Sequence, residues 1–256
     1  MRGTRRTLVA ALALLALVPA CGDDDDSAGS SGAVTVFAAA SLTDAFTEIG
    51  DAFMSANPDA EVTFNFAASS ELVTQINEGG APADVFASAD QNNMTKLIDA
   101  GTNASDPVVF ATNLLEIIVE PGNPQGITEM VDLGNDDLIT VVCAPEVPCG
   151  KYAQQIFDNA KVTVKPVSLE QNVKAVVTKV TAGEADAGIV YVTDVTAAGD
   201  QAEGVAIPAD INVLGEYPIA ATKEAPNPKS AQAFIDFVLS EQGQKILDSY
   251  GFLPPD

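Results

Sequence analysis

The sequence contains no histidine, and after Arg6 it contains no arginine. Without histidine a Ser-His-Asp hydrolase lacks its proton shuttle. The Ser-x-x-Lys pattern is missing too, because none of the nine lysines falls three residues after a serine. Neither Gly-x-x-x-x-Gly-Lys-Ser/Thr nor Gly-x-Gly-x-x-Gly occurs, and Gly150-Lys151 lacks the upstream glycine. Acidic pairs such as Asp136-Asp137 could serve glycoside chemistry or a cation, but in so acidic a chain they read as solvated surface. What remains is a chain without evident means of catalysis and with no expected cofactor, in which a bound anion would rest on neutral donors or a few lysines. Lys151 itself reads as an ordinary surface lysine.

Residues 1–20 read as an export signal, with Arg2, Arg5 and Arg6 as the basic end and Leu8 to Val18 as the apolar core. That apolar run is too short to span a bilayer as a mature helix. Val18-Pro-Ala-Cys21 resembles a lipobox, in which Cys21 would be lipidated and become the new N-terminus; ordinary cleavage beside Cys21 is the alternative. Residues 22–33 are acidic and rich in Gly and Ser, a composition that buries too little apolar surface to fold, so segment 21–33 reads as an anchor and flexible tether. The expected location is the extracytoplasmic face of the membrane or the periplasm.

Without the three arginines of the signal, nine lysines face 36 Asp and Glu, a formal charge of −27. Nucleic acid and anionic membrane surfaces are therefore poor partners. In an exported protein the remaining cysteines, Cys143 and Cys149, favour a disulfide over a metal site, the more so without histidine.

Short β-branched or aromatic runs alternate with helical patterns, which predicts an α/β fold. Val34–Phe37, Val62–Phe66 and Asp84–Ser88 read as strands, each followed by a helix. Val108–Ala111 and Leu114–Glu120 follow, then Asp137–Cys143, a helix from Gly150, a helical stripe from Leu169 to Val180, and a buried strand at Ala187–Val192. Val213–Thr222 is a strand able to return the chain to the first lobe, and one amphipathic helix from Pro228 carries Phe234, Ile235, Val238, Ile246 and Leu247. The boundaries expected are 34–112 for the first part of lobe I, 113–218 for lobe II and 219–256 for the return to lobe I.

Two stretches repeat one device: Phe37-Ala-Ala-Ala-Ser41-Leu-Thr-Asp44 and Phe66-Ala-Ala-Ser69-Ser70-Glu71 each run from a strand end into a helix opened by serine. Ser41-x-x-Asp44 fits a capping box that would merely satisfy a helix end. Two such junctions in one sheet, however, place two helix N-termini on the same edge, where backbone N–H groups and hydroxyls can converge on an anion.

Val36-Phe-Ala-Ala-Ala-Ser41-Leu-Thr-Asp-Ala45, Phe66-Ala-Ala-Ser69-Ser70, Gly80-Ala-Pro-Ala-Asp84-Val-Phe-Ala-Ser-Ala-Asp90 and Gly188-Ile-Val-Tyr191 together closely resemble the molybdate-binding proteins of ABC transporters, over essentially the whole mature chain. The resemblance implies a type II periplasmic-binding fold, two α/β lobes joined by a two-crossing hinge with the oxyanion between them. It implies molybdate or tungstate as ligand, with sulfate further behind, an ABC permease as partner, and a monomer that is not an enzyme. It also implies the ligand set: Ser41 and Ser69 through hydroxyl and N–H, Cys149 and Val173 through backbone N–H, and Tyr191 through its phenol. An exported enzyme on the same fold is the alternative from another class.

Overall fold

The computed structural model describes residues 32–255. The signal at 1–20, Cys21 and the tether up to residue 31 lie outside the described residues. The chain begins with β1 (Gly32–Ala39), two residues before the expected start, because Gly32 and Ala33 pair in parallel register with Ala60 and Glu61. There follow α1 (Thr43–Ala56), β2 (Ala60–Ala67), α2 (Ser69–Asn77), β3 (Val85–Ala87), α3 (Gln91–Asp99) and β4 (Val108–Asn113). The second lobe holds β5 (Leu115–Val119), β6 (Thr140–Cys143), α4 (Pro148–Ala160), β7 (Ser168–Glu170), α5 (Val173–Thr181), β8 (Ala187–Tyr191), α6 (Val192–Ala198) and β9 (Glu203–Ala206). The chain then returns through β10 (Gly215–Ala221), α7 (Pro228–Leu239) and α8 (Glu241–Ser249).

Two mixed five-stranded sheets result, ordered β2-β1-β3-β10-β4 and β7-β6-β8-β5-β9. The chain passes between them twice among the described residues, from Asn113 to Leu115 and from Ala206 to Gly215. This is the two-lobe α/β arrangement of periplasmic binding proteins. The return comes earlier than the expected boundary at 218/219, since Gly215–Ala221 is one strand paired with both β3 and β4. Its register with β4 slips between Tyr217 and Pro218. Pro218 has no N–H to give to a ladder, and such bulges re-aim neighbouring side chains.

Local chemistry explains the element ends. Asp90 caps α3 by accepting from Asn93 N at 2.9 Å, and Asn172 caps α5 by accepting from Ala175 N at 3.0 Å. Leu169, expected on the α5 stripe, lies instead in β7, a short edge strand parallel to β6, and is exposed; the Asn172 cap starts the helix after it. The single C-terminal helix expected is two. Ser240 ends α7 and caps α8 by accepting from Gly243 N at 3.2 Å, and a Cβ on Gly243 would lie 2.3 Å from the Phe237 carbonyl oxygen, so this corner admits only glycine. β7, β9 and α6 are too short for a pattern reading to resolve.

Lobe I is built on phenylalanine. Phe234 of α7 meets Phe46, Phe53 and Phe64 edge-on at centroid distances of 6.0, 5.5 and 6.1 Å, geometries worth about 0.5–1.5 kcal/mol each beyond area burial. This cluster clamps α7 onto α1 and β2 and so fixes where α1 begins. No helix of the described residues is long and apolar enough to cross a membrane.

Candidate functional site

The parallel strands of each sheet feed their helices from one edge. A 3-10 turn at Ala40–Leu42 leads into α1, α2 starts at Ser69, α4 at Pro148 and α5 at Val173, and all four starts border one small cavity of about 10 Å³ between the lobes. So small a space suits a single small ion and excludes a sugar chain or peptide. The first N–H groups of a helix have no intrahelical acceptor, and each helix end carries about half a positive charge.

The structure brings Ser41, Ser69, Cys149, Val173 and Tyr191 together on this one wall. Ser41 does not cap α1, contrary to the capping-box reading: no side-chain cap is present, and its Oγ lies 3.0 Å from the Tyr217 phenol. Asp44 likewise turns away from the helix end to meet Lys174 Nζ at 2.7 Å. A long-range partner thus outcompetes the local one and leaves Ser41 at the cavity. Ser69 is the first residue of α2, and its Oγ accepts from Ala89 N at 3.0 Å, so its own proton is available for a ligand.

Cys149 is bonded to Cys143 with a Cα–Cα distance of 5.8 Å, leaving only its backbone to serve the cavity. The disulfide ties the first turn of α4 to the end of β6. Tyr191 ends β8, is 1 % exposed, and its hydroxyl has no partner among the described residues. A buried phenol normally finds one. Burial raises the Tyr191 and Tyr217 phenols well above their ordinary range, so both remain protonated donors.

No carboxylate and no ammonium lines the cavity among the described residues. Charged groups stand outside it and join the lobes. Lys151 Nζ lies 3.4 Å from Asp90 Oδ2, so it is a cross-lobe contact and not the free surface lysine expected; Tyr152 donates to the Ala89 carbonyl at 3.2 Å. Lys174, directly after Val173, holds Asp44 of lobe I at 2.7 Å and Asp194 of lobe II at 3.1 Å. Burial would lower the Lys174 pKa, but the two carboxylates outweigh it and the net shift is upward. Burial pushes the Asp194 carboxyl up from 3.8 to about 6, against the pull of Lys174 and of the Tyr191 N–H. Tyr217 and Lys174 carried no local signal, and the cross-lobe roles of Asp90 and Asp194 were hidden behind their local ones, since each joins a partner distant in sequence.

The family model of bacterial extracellular solute-binding proteins matches residues 34–253. The chain belongs to that family. This solute-binding protein is 41 % identical to the Mycobacterium tuberculosis protein named molybdate-binding protein ModA, over 99 % of this chain and 98 % of the relative. It is 34 % identical to the Escherichia coli protein of the same name, over 86 % and 89 %. The sulfate-binding protein SubI of Mycobacterium tuberculosis shares its fold with a TM-score of 0.79, at 19 % identity and covering 88 % of each chain. Members of this family are extracellular solute-binding proteins.

Proposed function

We infer that this solute-binding protein captures molybdate outside the cytoplasm and delivers it to an ABC importer. The observation that carries this reading is a small cavity between the lobes that no charged side chain lines among the described residues and that two serine hydroxyls, one unpartnered phenol and the starts of four helical segments border. A fully deprotonated tetrahedral dianion only accepts hydrogen bonds, so such a wall satisfies it without a cationic side chain. The kinship with proteins named for molybdate supports the same ion. Tungstate has the same chemistry and is the nearest rival. The family's members bind solutes, which supports the reading of a binding protein without cofactor and not of an enzyme. Lipid on Cys21, residues 22–31 as its spacer, and a monomer complete the proposal.

Phosphate near neutral pH carries a proton that needs an acceptor. A hydroxyl turned to accept it gives up its donation to the anion, and a buried unpaired donor costs about 1–3 kcal/mol. Calorimetric titration is therefore expected to give phosphate at least tenfold weaker than molybdate, with sulfate limited only by size. Ser41→Ala or Ser69→Ala should each weaken molybdate by tens-fold, the loss of a donor to a charged partner being about 1.5–3 kcal/mol. Phosphate displacing bound molybdate at comparable concentration, or both serine variants binding as the parent does, would refute this site.

A further inference from the structure

We propose that Tyr217 is a positioning residue that fixes the proton of Ser41 toward the ligand and thereby makes the site refuse protonated anions; this rests on the reading of the cavity as a site for a proton-free oxyanion. Tyr217 does not line the cavity and had no place in the ligand set read from the sequence. It sits one layer behind, fully buried, on the strand that brings the chain back into lobe I.

Three features fix it there. Its ring meets Phe252, Tyr191 and Phe110 edge-on at 5.3, 5.8 and 6.3 Å, so it is held on several sides and cannot swing. The register slip directly after it, at Pro218, turns this part of β10 relative to β4. Its hydroxyl stands 3.0 Å from Ser41 Oγ. Nearby, the Asn113 amide donates to Thr193 Oγ1 at 2.9 Å, across the first passage between the lobes.

Either oxygen could donate in the Tyr217–Ser41 pair, and the anion decides which. If Ser41 gave its proton to Tyr217, it would turn lone pairs toward the oxyanion. The favourable polarity therefore runs from the Tyr217 proton to Ser41 Oγ and from the Ser41 proton to the ligand. In a buried chain of this kind each bond polarises the next. A ligand bearing a proton demands the reverse order, with Ser41 donating to the Tyr217 oxygen, which obliges the rigid phenol to turn its own proton away from Ser41.

The test uses the full-length protein and Tyr217→Phe, which keeps the ring and its packing and removes only the hydroxyl. Ser41 then becomes a free rotor. Molybdate and sulfate affinities are expected to fall together by about fivefold, the ordinary worth of one such hydrogen bond, while phosphate falls by less than twofold, so that the preference for molybdate over phosphate narrows. Combining Tyr217→Phe with Ser41→Ala should give no further loss of molybdate affinity beyond Ser41→Ala alone, because Tyr217 acts only through that hydroxyl. Unchanged molybdate affinity in Tyr217→Phe, an unchanged molybdate-to-phosphate ratio, or full additivity in the double variant would each overturn the inference. A parent protein that binds no molybdate would instead overturn the functional reading on which it rests, and the two failures are told apart by the parent titration.

Discussion

Lys174→Met is expected to cost the fold about 3 kcal/mol at pH 8 and much less at pH 5. Lys174 is the cation shared by Asp44 and Asp194, and the Asp194 side chain is wholly buried. Removing one partner of a buried pair strands the other charge, typically at about 3–5 kcal/mol; the lower end applies because Lys174 keeps 29 % of its side-chain surface. The arm to Asp44 is more exposed and adds little. The pH sign follows from Asp194. Its folded pKa, about 6, lies above the ordinary 3.8, so its contribution to stability is fully present below about pH 4 and is lost as pH rises through about 6. Without Lys174 that pKa climbs further, and the variant loses most where the carboxyl must be ionised and least where it can hold its proton. Thermal melts of both proteins at pH 5 and 8 check this; a loss equal at both values would mean that Asp194 is not the stranded charge.

Gly150→Ala should abolish most binding, weakening molybdate by about a hundredfold. A Cβ there would lie 2.0 Å from the Ala144 carbonyl oxygen and 2.7 Å from that of Cys143, both backbone atoms of the disulfide-closed turn. Neither can yield as a side-chain tip would, so the first turn of α4 must move. The Cys149 N–H and the positive end of α4 then leave the ion together, a combined loss of roughly 3 kcal/mol. The variant is checked by titration alongside a melt; near-parental affinity would show that α4 does not present its start to the ion.

The legible part of this protein was its local periodicity and the family likeness of its serine junctions. Strand–serine–helix junctions announce themselves within a few residues, and so did the β1, β2, β3 and β8 strands around them. What could not be read was whatever depends on distant pairing. Ser41-x-x-Asp44 has the spacing of a capping box, yet Ser41 finds Tyr217, 176 residues away, and Asp44 finds Lys174, 130 residues away. Leu169 has the spacing of a helical stripe, yet Ser168–Glu170 can be a strand only because β6 lies beside it. The return to lobe I was placed late for the same reason, the strand being defined by β3 and β4.

A last consequence concerns traffic. The cavity draws an anion by dipoles whose reach is about one helical turn, whereas the body around it, residues 32–255, repels that anion through a formal excess of 22 negative charges, 31 Asp and Glu against nine Lys, a field that extends about 10 Å at 0.1 M salt. The doorway and the room thus carry opposite signs. Added salt should quicken capture by screening the approach while leaving escape unchanged, since escape is governed by the short-range contacts at the site. Stopped-flow rates across ionic strengths would read this directly, and affinity would rise with salt, the reverse of what a lysine- or arginine-lined anion site shows.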